Sequence, residues 1–299
     1  MNSQRISIGK AFLAIALSVV ICTGTVGSVL VYYKQIREKQ RHDPNYEIVA
    51  IVQRTADPEP LKTVYFAELL NLSVDHPMNL YAFNTRQAER LLLQSPIIKE
   101  ARIRKIPPGS ISIDYVMRRP IAFIGDYTNT AIDADGVVFP FKQFFTPKVL
   151  PVIYLGFEQG QHVQQPLAWG IELKGKESEL AFDILEFTTQ NCCHEMSFLR
   201  SIDVSMAFAP SYGQRQIILG LEERVSKMIG GSPILFIYSH TLRLAPSSYK
   251  KQLSNYLVLR NYLRENDHLP SKMPEGSIVK VKEKIIDLRL ENQAFIAKD

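Results

Sequence analysis

The chain has 299 residues, with 35 Lys+Arg against 30 Asp+Glu and a formal charge of +5. The excess sits in residues 1–41, where Arg5, Lys10, Lys34, Arg37, Lys39 and Arg41 face only Glu38, so the rest of the chain is balanced. A nucleic-acid binder concentrates Lys and Arg in its folded part, and this distribution argues against one.

Residues 1–10 read as a cytoplasmic tail, followed by Ala11–Tyr33, 23 residues without a charge and rich in Val, Ile, Leu and Ala. About 20 residues at about 1.5 Å each cross a hydrocarbon core, so 11–33 is expected to be one transmembrane helix. Tyr32 and Tyr33 suit the interface at its far end. The rival is a cleaved signal peptide, with Ala11–Cys22 as its apolar part and Thr23–Ser28 as the cleavage region. The apolar run continues through Val29, Leu30 and Val31, which favours an anchor. More cations follow the span than precede it, and on charge alone the carboxyl side would be cytoplasmic. Long domains cross largely regardless of charge, so the bulk of the chain is placed outside.

Residues 34–46 are charged and polar and read as a linker. A strand is expected within Glu47–Arg54 and a helix over Val64–Leu70. A second helix opens at Asn84, an N-cap with Gln87 three positions on, and stops before Pro96; Ala88, Leu91 and Leu92 share its inner face. In Lys99–Lys105, Ala101 and Ile103 alternate with Arg102 and Arg104. After a turn at Pro107, Pro108 and Gly109, the residues Ile111, Ile113 and Tyr115 alternate with Ser112 and Asp114, giving two strands with one apolar face. Strand, helix, helix, strand, strand makes a small α+β unit over 47–118.

Beyond Pro120 the chain turns strand-rich, with strands expected at Ile121–Tyr127, Thr130–Asp133 and Val137–Phe139. Asp133, Asp135 and Gly136 resemble the start of a calcium loop, but the twelfth position is Phe144 and not glutamate, so a tight β-turn is the reading. Leu180, Ile184 and Phe187 form a helical stripe. Ser201–Phe208, Arg215–Leu221 and Ile234–Leu244 read as strands. Pro246 and Ser247 open a helix to about Arg264 with Tyr249, Leu253, Tyr256 and Leu263 on one face.

The stretches NLYAFNTRQAERLLLQSPIIKEARIRKIPPGSISIDYVMRRPIAFI, AIDADGVVFP and LPVIYLG, with IIDLRLENQAFIA near the carboxyl end, resemble the bacterial division-protein family FtsQ/DivIB. The resemblance implies an α+β chain in which 47–118 is a POTRA-like domain. It also implies that 119–299 is a β-rich partner-binding domain, an antiparallel sheet with packed helices. One departure is Met117 before Arg118, Arg119 and Pro120, where the family carries an acidic residue. The implied function is a single-pass inner-membrane scaffold of the division septum, with its bulk periplasmic. The implied partners are proteins resembling FtsB and FtsL, and the septal peptidoglycan synthase.

No catalytic residue, cofactor site or metal site is expected. His42, His76, His162, His194, His240 and His268 are scattered, and Cys192, Cys193 and His194 lack the spacing that lets ligands converge around zinc. With Cys22 in the span and Cys192 and Cys193 adjacent, the cysteines supply no disulfide framework. Nucleophile-elbow, phosphate-loop and dinucleotide motifs are missing. Two alternatives stand beside the scaffold: an envelope assembly or secretion factor using a POTRA-like unit, and an unrecognised cell-wall hydrolase.

The last apolar runs are Ile285, Ile286, Asp287, Leu288, Arg289 and Leu290, then Ala294, Phe295 and Ile296, separated by Glu291, Asn292 and Gln293. With no later segment to cover them, they are expected to leave an edge to which another chain adds a strand, and the resemblance points to the same place. Side chains of one parity would then be structural while the backbone binds. The competing reading is that Ile286, Leu288, Phe295 and Ile296 finish the core.

Overall fold

The structure, a computed structural model, describes residues 8–73, 75–157, 168–191, 197–229, 232–265 and 278–297. His162, Cys192, Cys193, His194 and His268 lie outside the described residues. The chain divides into two compact units, 1–117 and 118–299, and is mixed α and β.

The first unit begins with α1 (Ile8–Arg41), a 34-residue helix. An 18-residue window within Ala16–Arg41 has a mean hydropathy of 1.7 and is nowhere buried, so this helix is long and apolar enough to cross a membrane. Its hydroxyls are satisfied within the helix: Thr23 donates to the Val19 carbonyl at 2.8 Å and Ser28 to that of Gly24 at 2.9 Å. That suits a solvent offering no hydrogen bonds.

The expected linker is largely structured. Residues 34–41 continue α1, and Pro44–Tyr46 form a 3₁₀ turn whose cap, Asp43, accepts from the Asn45 N–H. Lys, Gln, Arg and Glu favour helix, so polarity here did not signal a break.

Strand β1 (Ala50–Arg54) is followed by α2 (Thr63–Leu69), α3 (Thr85–Leu93), β2 (Ile98–Ile106) and β3 (Ser110–Met117). The sheet order is β1-β3-β2, with β1 parallel and β2 antiparallel to β3. Asn84 caps α3 as expected, its side chain accepting from the Gln87 N–H at 3.2 Å. Phe66, Leu92, Ile111 and Ile113 are fully buried, and the Phe66 and Tyr115 rings lie 4.8 Å apart. Leu91, expected on the buried face with Leu92, is only half-buried. Arg104 pairs with Asp114 on the opposite, wet face of the sheet. Gly109 in the β2–β3 turn is needed for space, because a Cβ there would sit 2.3 Å from the Glu47 carbonyl oxygen.

The second unit contains β4 (Ala122–Ile124), β5 (Thr130–Ile132), β6 (Val138–Pro140), β7 (Val152–Tyr154), α4 (Lys176–Asn191), β8 (Ser197–Asp203), β9 (Ile217–Ile229), β10 (Ser232–Leu244), α5 (Tyr249–Glu265), β11 (Ile278–Lys280), β12 (Lys284–Asp287) and β13 (Phe295–Ala297). Its ten-stranded sheet runs β13-β12-β10-β9-β8-β7-β4-β5-β6, with β11 also pairing to β10.

The expectation of an antiparallel sheet is corrected: β4–β7, β7–β8, β10–β11 and β10–β12 are parallel. Parallel neighbours need long crossovers, and the segments carrying α4 and α5 supply those to β8 and to β11 and β12. Ile184 of α4, Leu253 and Tyr256 of α5, and Leu242 and Ile286 of the sheet share one core. The strand expected over Ser201–Phe208 instead ends at Asp203. There the side chain of Asp203 accepts from the Ser205 N–H and hydroxyl, and Ala207 turns back onto the Val204 carbonyl.

The Asp133–Gly136 stretch is a β-turn. Gly136 donates to the Asp133 carbonyl at 3.0 Å with its own φ at +77°, and the Asp133 carboxylate accepts from the N–H groups of Asp135 and Val137. The same carboxylate binds Arg118 at 2.7 Å. A second carboxylate, Asp126, accepts from the N–H groups of Leu155, Gly156 and Phe157, fixing the chain as it leaves β7.

Candidate functional site

The two ends of the long sheet are finished differently. At β6 the edge is covered, since Val138 donates to the Ile171 carbonyl and accepts from the Gly170 N–H, and Leu173 donates to the Gly136 carbonyl. At the other end stands β13, whose only strand partner among the described residues is β12.

Hydrogen-bond direction along β12 shows which groups of β13 are free. Leu288, just past β12, donates to the Arg243 carbonyl of β10 at 2.9 Å. Successive residues of a strand aim their N–H and C=O to opposite sides, so Ile286 also addresses β10, while Ile285 and Asp287 address β13. Their register partners are Ala297 and Phe295. Ile296, opposite Ile286, is therefore the β13 residue whose N–H and C=O face outward.

This redraws the expected site. Ile285, Ile286 and Asp287 belong to an interior strand paired on both sides, so their backbone cannot receive another strand. Ile286 and Leu288 are buried and complete the core. Phe295 and Ile296 do not; with Leu290 they are exposed apolar side chains, and Ala294 is exposed beside them. The available edge is thus confined to 294–297, and an apolar run on an interior strand reads the same in sequence as one on an edge.

An open groove of about 980 Å³ runs beside this edge, between α5 and the turn joining β12 to β13. Lys251 and Asn255 of α5 form one wall, Arg289 and Phe295 the other, and Tyr212 and Arg215 also line it. The turn is held by charge: Asp287 accepts from the Arg289 side chain at 2.7–3.1 Å and from its N–H at 3.1 Å, and Glu291 pairs with Lys251 at 2.8 Å. Asn292 takes the left-handed conformation that closes it, with φ at +58°. Burial pushes the Asp287 carboxyl up, but the hydrogen bonds from Arg289 and the charges of Arg289 and Arg243 outweigh it and leave the group below its ordinary range. Arg215 stacks on the Tyr212 ring at 5.5 Å and donates to the Ala209 carbonyl.

The groove's contribution from α5 escaped the sequence reading. Lys251 and Asn255 fall on the face opposite the buried Tyr249, Leu253 and Tyr256, which announces exposure but not a neighbour. Among the described residues, no three His, Cys, Asp or Glu side chains converge as metal ligands do. The arrangement offers backbone hydrogen bonds, apolar contact and a charged groove, which is the chemistry of peptide recognition. Compared with known protein-family models and with characterised proteins, the chain matches none.

Proposed function

We propose that this protein is a single-pass membrane scaffold that captures a partner chain by strand addition at β13. The observation carrying the proposal is the outward-facing backbone of Ile296 on an uncovered edge, flanked by exposed Leu290 and Phe295 and a charged groove. Exposed edges are hazards that folded proteins cover or blunt. Among the described residues the β6 edge is covered and β13 is left open with apolar side chains, an arrangement that favours a docking role.

The specific reading is a division scaffold of the FtsQ/DivIB kind in the bacterial inner membrane, with both units outside the cytoplasm. The strand-helix-helix-strand-strand order of residues 50–117 and the pairing of β1 with β3 support a POTRA-like first unit. The partners proposed are small bitopic proteins resembling FtsB and FtsL, with the septal peptidoglycan synthase beyond them. A functional fluorescent fusion of the full chain in dividing cells tests this. Enrichment at the septum is expected. A uniform envelope distribution, with normal division on depletion, would overturn the division role.

A further inference from the structure

Two turns of α1 stand beyond Tyr33. On them Lys34, Arg37 and Arg41 recur at the spacing that places side chains on one helical face, and all three are exposed. Ile36 and Gln40, half-buried, occupy the other side. The helix end is fixed to its own folded unit, because the Asn79 side-chain amide donates to the carbonyls of Gln40 at 2.9 Å and Asp43 at 3.1 Å. Lys105, near the end of β2, is held below its ordinary pKa first by burial and then by the positive charge of Arg41. Glu38 pairs with Arg41 at 3.1 Å, whereas Lys34, Arg37 and Lys105 make no ion pair among the described residues. Three cations thus share one face of the helix end, and the charge of Arg41 reaches a fourth, Lys105.

Height decides what such a cluster meets. The eight residues from Lys34 to Arg41 rise about 12 Å, and each headgroup layer is about 5–8 Å deep. Lys34 and Arg37 therefore emerge within the headgroups. Arg41 stands a few ångströms beyond their outer boundary, within reach of a long side chain that extends toward an interface.

We propose that Lys34, Arg37, Arg41 and Lys105 form a collar that binds the phosphate-bearing headgroups of anionic phospholipids in the leaflet from which α1 emerges. The collar holds the first folded unit at a set height above the bilayer, since Asn79 leaves no free joint between them. The proposal rests on α1 being an uncleaved span.

The test uses the full-length chain reconstituted in phosphatidylcholine bilayers carrying spin-labelled phosphatidylglycerol or spin-labelled phosphatidylcholine, with lipid restricted at the protein surface read by electron paramagnetic resonance. Each cation near a membrane surface is worth about a fivefold change in association. The wild type should restrict phosphatidylglycerol several-fold more than phosphatidylcholine. The variant carrying Lys34→Gln, Arg37→Gln, Arg41→Gln and Lys105→Gln should show a ratio near one, and the variant carrying Lys34→Arg, Arg37→Lys, Arg41→Lys and Lys105→Arg should keep the wild-type ratio.

An equal ratio in the wild type, or an unchanged preference in the neutralised variant, overturns the collar. So does loss of the preference on adding inorganic phosphate at constant ionic strength, which would mark a small-anion site. Should the neutralised variant fail to fold, the wild type decides alone: a preference untouched by about 1 M salt, where screening reaches about 3 Å, is not surface charge. If α1 is not an inserted span, neither lipid is restricted, which separates failure of the anchor from failure of the collar.

Discussion

Ile286 and Ile296 face each other across β12 and β13, yet Ile286 is wholly buried while Ile296 keeps 37% of its surface exposed. One strand separates core from edge, and the two positions respond differently to substitution. Ile296→Pro removes an outward-facing N–H without touching the β12–β13 hydrogen bonds. It should abolish co-purification of the proposed bitopic partner while moving the thermal midpoint little. Phe295→Pro breaks a bond to Asp287 and should loosen the strand itself. Ile286→Ala should cost about 2–5 kcal/mol in denaturant unfolding. Normal partner capture by the Ile296→Pro protein would move the docking surface elsewhere.

In the first unit the helix face is set by Leu92, fully buried beside the half-buried Leu91 and the 48%-exposed Leu93. Leu92→Ala should destabilise by about 2–5 kcal/mol, and Leu93→Ala should stay within about 0.5 kcal/mol. Equilibrium urea unfolding checks both. Equal effects at the two positions would mean that α3 packs in a different rotation.

What the sequence disclosed was local. The Asn84 cap, the Tyr249–Leu253–Tyr256 stripe and the Asp133–Gly136 turn each depend on residues within a few positions of one another. Leu91 and Leu92 could not be ranked, because they lie about 100° apart on a helix and an apolar stripe is at least that wide. The parallel pairings of β10 with β11 and β12 depend on residues separated by a whole helix, and no periodicity reports them. For the same reason the expected docking segment ran across Ile285–Ile296, whereas strand order leaves only 294–297 at the edge. The 34–46 stretch is a different case: its charges read as a linker, while most of its residues favour helix and 34–41 continue α1.

The proposal that α1 spans a membrane has a direct test. Phe12, Leu17, Val20, Ile21 and Leu30 are all more than half exposed on α1, bare apolar surface that a bilayer would bury. The full-length product should remain with membranes after carbonate washing and keep its original N-terminus, read by intact mass. Recovery of a soluble species beginning near residue 28 would show that the apolar segment is a removed signal peptide.

The β12–β13 turn should fail in acid before the sheet beneath it does. Asp287 is depressed on balance, burial raising it and Arg289 with Arg243 more than offsetting that rise, and Glu291 within the turn is depressed by the hydrogen bond and charge of Lys251. A carboxyl whose folded pKa lies below its unfolded value stabilises the fold fully above the unfolded pKa, about 4 for Asp and Glu, and loses that contribution as pH falls through the folded value. Protection factors of the amides at residues 288–294, with the intrinsic pH dependence of exchange divided out, should therefore be flat from neutral pH to about 5 and fall below about 4. Arg289→Gln removes the fork that holds Asp287 down, so its carboxyl titrates higher and the loss of protection begins at a higher pH. Carbon-detected titration of Asp287 in both proteins measures the shift directly. An Arg289→Gln protein with the wild-type midpoint would mean that the pair seen at 2.7–3.1 Å contributes nothing to closing the turn.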